Sequence, residues 1–296
     1  MTTTTQQPGG TWQMVLAMTL SGTIGLAVVE SGMAPLSVVF FRCLIGGSGL
    51  LAWLAATRSW APVSSRDLMW IVLGGLALVL NWLCLFSSYR YGSISVSTVV
   101  YHTQPFILLC LASVLQGERM QAARLPWLVL AFGGVVLTSQ VHGSIGSTWL
   151  GALLASVAAF LYAVATLVTR QLKHLPPSQI AAFQMGVGVL VLLPIVWGDL
   201  GPLTTRGWRA VATLGLVHTA FMYTIMYSAF QRLPTQTIAV LSFIYPLMAL
   251  LVDLLYFKVS LHWMQQLGMA AIVFALVANQ RQWEATTWLR RRPAKT

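Results

Sequence analysis

Charge is what this 296-residue sequence has least of. Only 8% of its residues are charged, Lys and Arg number 17, and Asp and Glu number 6. A soluble domain carries roughly 25% charged residues. So thin a supply cannot cover a water-facing globule, and it excludes a disordered chain as well. No Lys or Arg precedes Arg42, so the basic region of a cleaved secretory signal is missing. Cysteine is scarce: Cys43, Cys84 and Cys110 lie far apart inside apolar runs, which suits neither a disulfide framework nor a zinc site. No Gly-Lys-Ser/Thr phosphate loop occurs, which excludes ATP as the direct energy source, and the His-Glu-x-x-His spacing of a metalloprotease is absent. The net charge of +11 does not indicate nucleic acid, because the basic residues sit singly in short gaps between apolar runs. That is how helix ends anchor at lipid headgroups.

What remains is hydrophobic: 57% of the chain. Apolar runs fall at Trp12–Val29, Pro35–Ala56, Leu68–Tyr89, Ser93–Leu115, Leu125–Val141, Trp149–Thr169, Ile180–Trp197, Trp208–Phe230, Thr235–Phe257 and His262–Ala278. Each is long enough to cross about 30 Å of hydrocarbon as a helix. The alternating ten-residue segments of a β-barrel are missing. The sequence therefore predicts an all-α membrane protein of ten transmembrane helices. With the N-terminus in the cytoplasm, twelve Lys and Arg fall in inner segments and four in outer ones. This bias places both termini inside.

The two halves echo each other. Pro105 and Pro246, and Gly74 and Gly215, share an offset of 141; Pro35, Phe41 and Arg42 meet Pro177, Phe183 and Gln184 at 142. Five spans per half is an odd number, so the second half is expected upside down. That gives two inverted five-helix repeats, residues 1–143 and 144–282, followed by a basic cytoplasmic tail, 283–296. Inverted repeats characterise carriers that alternate access around a midplane site.

Candidate binding residues cluster at mid-span. Trp82 and Phe86 lie one turn apart, with Asn81 beside them, and their counterparts at the 141 offset are Tyr223 and Tyr227. Tyr101, His102 and Gln104 precede Pro105; Phe243 and Tyr245 precede Pro246; Tyr162 lies mid-span. Aromatic walls with a few hydroxyl and amide groups suit a small amphipathic solute. The other reading is lipid-facing or packing aromatics, though mid-span Tyr and Trp are less expected facing lipid than at the interfaces. His102 and His218, both near mid-depth, are either structural or a proton relay. Pro105 and Pro246 are candidate hinges. Arg42 is an intramembrane charge that needs a partner, with Glu30 and Asp253 as candidates for an ion pair or gate; a carboxylate clamp or an outward-snorkelling Arg are the other readings. Glu118 and Arg119 read as loop anchors. Gly46-Gly47-Ser48-Gly49 matches the Gly-x-Ser-Gly pattern of intramembrane proteases. Small residues in such helices usually serve close packing instead.

The sequence resembles the drug/metabolite transporter superfamily in its form with two EamA-type repeats. Pro35 with Phe41-Arg42, Pro105 with Gly117-Glu118-Arg119, and Gly133-Gly134 carry the resemblance in the first half. The second half keeps Pro246 and Gly268, but has Gln184 for Arg and Lys258-Val259 where Gly-Glu is expected. The aromatic-rich profile is similar to YddG-type aromatic amino-acid exporters. The resemblance implies a multi-pass carrier of the bacterial inner membrane that exports small metabolites, amino acids and aromatic ones included, by alternating access. It implies no enzymatic activity, no cofactor and no metal; the partners are a small-molecule substrate and membrane lipids, and a monomer suffices. A multidrug or nucleotide-sugar-type carrier is the nearest alternative; an intramembrane enzyme or a non-transporting scaffold are more distant ones.

The charge bias sets a topology test. In a background freed of the native cysteines, single cysteines at Arg66 and Lys173 should be shielded from an impermeant thiol reagent in intact cells, and those at Ser144 and Gly201 should label. The opposite pattern contradicts the orientation.

Overall fold

The computed structural model describes residues 8–91, 94–118, 121–139, 149–197, 204–258, 260–281 and 283. The basic tail beyond Trp283, Arg119, Ser144 and Gly201 therefore lie outside the described residues, as do the side chains of Arg90 and Asp253. Every regular element among the described residues is helical. Helix α1 (Pro8–Gly22) runs into α2 (Ile24–Ser31) through a break at Thr23, whose hydroxyl lies 2.8 Å from the Leu20 carbonyl. Gly32, with φ of 63°, ends α2 in the left-handed conformation that favours glycine. Pro35 starts α3 (Pro35–Thr57) where a missing N–H costs nothing. Reciprocal bonds between Ser64 and Asp67 cap α4 (Ser65–Tyr91).

Two later helices are broken near mid-span. α5 (Ile94–Tyr101) stops four residues before Pro105 and resumes as α6 (Gln104–Gln116). α12 (Thr235–Leu241) stops likewise before Pro246 and resumes as α13 (Ile244–Leu255). A proline cannot donate to the carbonyl one turn back, so the ladder opens on its N-terminal side. Between these lie α7 (Leu125–Thr138), α8 (Trp149–Gln171), α9 (Pro177–Val196), and α10 (Thr205–Gly215), which passes through a π-helical stretch, Leu216–Phe221, into α11 (Met222–Arg232). α14 (Trp263–Gln280) begins with a capping box between His262 and Gln265.

Among the described residues eight helical runs are long and apolar enough to cross a membrane, including Gly9–Ser31, Val96–Gln116 and Thr205–Arg232. This is fewer than the ten apolar runs of the sequence. α7 is apolar but has 14 residues, about 21 Å at 1.5 Å per residue. α14 carries Gln265, Gln266, Asn279 and Gln280 among its 18 residues. These two helices pack on each other. Elsewhere α4 packs on α8, α3 on α9, α2 on α10, and α1 on both α11 and α13; α6 meets α8 and α12.

Large apolar side chains face outward all around the bundle, Val114 at 81% exposure and Leu190 at 74%. In water so much exposed hydrocarbon would aggregate; against lipid tails it is solvated. With eight apolar helices of spanning length, the chain is a multi-pass membrane protein. Polar groups turn inward instead: Asn81, Gln184, Thr219 and Asn279 are all buried.

The α7–α14 contact depends on two glycines. A Cβ at Gly134 would lie 2.7 Å from the Gly268 carbonyl oxygen, and one at Gly268 would lie 2.6 Å from that of Gly134. Overpacking of this kind costs about 1–3 kcal/mol. Gly268→Val should therefore lower the melting temperature in detergent by about 2–10 °C. Gly133→Ala, whose Cβ meets nothing within 4 Å, should leave it unchanged. Equal melting temperatures in the two variants would show that the glycine contact is loose.

Candidate functional site

The centre of the site is Arg42, on the inward face of α3 and 1% exposed. The expected pairing with Glu30 is not formed. Glu30 sits at the end of α2, bound by Arg206 and by the Tyr256 hydroxyl at 3.0 Å. Arg42 instead donates through Nε to Thr219 Oγ1 at 3.3 Å and through Nη2 to the His218 carbonyl at 3.4 Å. Its guanidinium lies 4.4 Å over the Trp82 ring. A desolvated cation on a Trp face gains up to about 2 kcal/mol, less than a buried charge requires.

The π-helical stretch makes this arrangement. Side chains of the stretch bond to carbonyls five residues back: Thr219 Oγ1 donates to that of Leu214 at 2.8 Å and His218 Nδ1 to that of Thr213 at 3.3 Å. The His218 carbonyl is thereby turned toward Arg42. His218 Nε2 lies 2.8 Å from Thr23 Oγ1, which ties the stretch to the break between α1 and α2. Such bulges recur at functional sites.

Beside Arg42 lies a cavity of about 100 Å³. Of the sequence candidates, Trp82, Phe86, Tyr101, His102, Gln104, Tyr162, Tyr223 and Tyr245 line it, with Arg42. Trp82 and Tyr223 touch edge to face, centroids 5.8 Å apart, so the two equivalent rings meet. Asn81 stands behind the wall, donating to the Ala158 carbonyl at 2.8 Å and to the Tyr101 hydroxyl at 3.4 Å. Tyr227 points elsewhere, its hydroxyl donating to Gln184 and its ring stacked on Phe230. Phe243 is buried behind His102. The hinge prolines divide: Pro105 is buried in α6, and Pro246 lines a second space.

That second space is a vestibule of about 710 Å³ between α2, α4, α5, α13 and α14. It shares Ile24, Leu85, Phe86 and Tyr245 with the cavity, and it lies toward the ends of α2, α4 and α13. At the opposite end three helices are tied together. Arg170, at the end of α8, pairs with Glu118 at 2.8 Å and donates to Thr235, to Gln116 at 3.2 Å and to the Leu233 carbonyl at 3.5 Å. Thr235 also donates to Glu118. One cluster thus joins α6, α8 and α12. Burial pushes the Glu118 carboxyl up, but the hydrogen bonds from Thr235 and Arg170, with the charges of Arg170 and Lys173, outweigh it and hold the pKa below 4.5. The ion pair is therefore fully formed above about pH 4.5 and is lost as pH falls through the lowered value.

Several of these residues escaped the sequence reading. Met18, Ser21, Met222, Met226 and Ser242 complete the cavity wall, and nothing distinguishes them in sequence from packing residues. Glu118 was visible only as an anchor, and Arg170 only as one basic residue among the twelve.

Comparison with known proteins places this geometry. The chain matches the EamA-like transporter family over residues 9–140 and again over 149–279. It is 30% identical to the uncharacterized transporter YxxF of Bacillus subtilis over 92% of this chain and 90% of that one. It is 26% identical to the pseudopaline exporter CntI of Pseudomonas aeruginosa, over 69% and 73%. It is 24% identical to the aromatic amino acid exporter YddG of Ancylobacter novellus, over 79% and 84%. A solved crystal structure with 20% identity superposes with a TM-score of 0.81, covering 92% of this chain and 98% of that one, so the fold is shared. With both halves matched in tandem, the chain belongs to the EamA-like transporter family, within the drug/metabolite transporter superfamily.

Proposed function

We propose that the chain exports small metabolites bearing a carboxylate, amino acids and aromatic ones among them, across a bacterial inner membrane by alternating access. The observation that carries this reading is Arg42. It is a buried cation with no carboxylate against it among the described residues, set in an aromatic wall and reached through a vestibule. A substrate carboxylate supplies the missing charge, and its apolar part fits among Trp82, Tyr162 and Tyr223. The cavity of about 100 Å³ is smaller than the roughly 300–1,000 Å³ of a ligand pocket, so a ring-bearing substrate requires the walls to part. Two of the relatives above are named as exporters, which favours the outward direction. Three methionines in the wall, Met18, Met222 and Met226, favour a second reading, a carrier of varied drugs. Arg42 argues against it for cationic drugs, which it would repel.

The packing supports two inverted repeats, 1–143 and 144–282, with α7 and α14 counted as a ninth and tenth span and both termini in the cytoplasm. Exchange of the halves turns the α4–α8 contact into that of α1 with α11 and the α6–α8 contact into α1–α13, and leaves α3–α9 and α7–α14 as themselves. The exchange fails in one respect that matters. α6 packs on α12 at the Arg170 end, while the vestibule lies between α5 and α13 at the other. The charge bias makes the Arg170 end cytoplasmic, so this is an outward-open state. In the inward-open state α5 and α13 close together and α6 parts from α12, with bending at 102–103 and 242–243. The bonds that tie Thr235 on α12 to Glu118 and Arg170 must break for this to happen. Net flux needs a solute or ion gradient, because binding alone drives no cycle.

Counterflow of labelled amino acids into proteoliposomes tests the reading directly; no exchange of any amino acid would refute it. Trp82→Ala and Tyr223→Ala should raise the half-saturating concentration for phenylalanine and tryptophan by about tenfold, and that for alanine and threonine less. Equal losses for all four would assign the rings to packing. Arg170→Met should release the cytoplasmic end, seen as a longer distance between spin labels at Leu115 and Gln236. An unchanged distance would show that the cluster is not a latch.

A further inference from the structure

The cavity wall contains Arg42 and, among the described residues, no Asp or Glu. A zwitterionic substrate therefore finds a partner for its carboxylate but no anion for its ammonium group. The ammonium N–H groups need another acceptor, and His102 presents one. The His102 ring lines the cavity at the break between α5 and α6 and is 4% exposed. Its Nδ1 lies 2.7 Å from the Thr98 carbonyl, which accepts only, so Nδ1 carries the proton and Nε2 a lone pair. That Nε2 is buried and has no hydrogen-bond partner. The ring is fixed in this orientation by stacking on Tyr245, centroids 5.5 Å apart and planes at 11°, with the Tyr101 ring edge-on at 6.0 Å. An unpartnered buried acceptor is rare in a folded protein and marks a place where a donor belongs.

We infer that His102 Nε2 accepts a hydrogen bond from the substrate ammonium group, so that the cavity selects α-amino acids over the corresponding carboxylic acids. This rests on the proposed role of Arg42 as the carboxylate partner. The nearby rings of Tyr101 and Tyr245 add their π faces to the cation. His102 is then a specificity residue: Arg42 reads the charge that both ligand classes share, and His102 reads the group that only one has. Its place at the hinge also means that the acceptor moves with α5 when that helix closes on the substrate.

Competition against labelled L-phenylalanine on the purified full-length protein tests this, with L-phenylalanine and 3-phenylpropanoate as the unlabelled ligands. The wild type should bind L-phenylalanine about tenfold or more tighter. His102→Phe, which keeps the aromatic stack and removes the lone pair, should erase that ratio by weakening L-phenylalanine and leaving 3-phenylpropanoate nearly unchanged. That affinity is measured directly with labelled 3-phenylpropanoate, which also shows that the variant is folded. His102→Gln, which restores an acceptor, should recover part of the ratio. Equal affinities in the wild type, or an equal loss of both ligands in His102→Phe, would overturn the role of His102 and leave the Arg42 reading standing. Binding of neither ligand by the wild type would overturn both.

Discussion

A cation buried with no carboxylate against it among the described residues is the constraint on which the rest of this structure depends. Arg42 cannot lose its proton and is almost wholly removed from solvent, so the bundle is arranged to tolerate it. The π-helical stretch turns the His218 carbonyl and the Thr219 hydroxyl toward it, and Trp82 offers a ring face. Each contact is weaker than an ion pair. That deficit suits a carrier: a site that neutralised Arg42 with its own carboxylate would gain little from a substrate's. The second half of the chain has Gln184 at the corresponding position, where it accepts from Tyr227 and packs beside Gly74. One half supplies the charge and the other a neutral strut, so the repeat is symmetric in its framework and asymmetric in its chemistry.

The ends of the bundle are held by different means. At one end, buried Arg170 gathers Glu118, Thr235, Gln116 and the Leu233 carbonyl into one cluster across three helices. At the other, Glu30, Arg206 and Tyr256 form an exposed cluster beside an open vestibule. Exposed pairs contribute about 0–1 kcal/mol; the Arg170–Glu118 pair, buried on the Arg side only, is reinforced by the hydrogen bonds around it. In the proposed cycle this end stays closed until a substrate that bridges Arg42, α5 and α13 offsets the cluster.

The all-helical fold was legible because hydrophobic run length is a strong signal, and Pro105 and Pro246 marked both breaks to within four residues. Length in sequence did not foretell length in structure: the runs at 125–141 and 262–278 looked like their neighbours, yet α7 is 14 residues long. The aromatic wall was legible from the offset between halves, which paired Trp82 with Tyr223 before their contact was seen. The partner of Arg42 was not. An acid was the natural expectation, while the actual partners are a hydroxyl and a backbone carbonyl turned by a π-helical stretch, and no residue type announces such a stretch. Arg170 was hidden for a related reason, because its partners Glu118 and Thr235 lie 52 and 65 residues away in sequence on helices whose contact only the fold supplies.

The most direct measurement of the central claim is ligand preference at Arg42. Purified wild-type protein should bind L-phenylalanine in preference to phenylethylamine, which lacks the carboxylate. In Arg42→Met, folded by the criterion of its melting curve, that preference should vanish or reverse. An unchanged preference in Arg42→Met would contradict the account, because the carboxylate would then be read elsewhere.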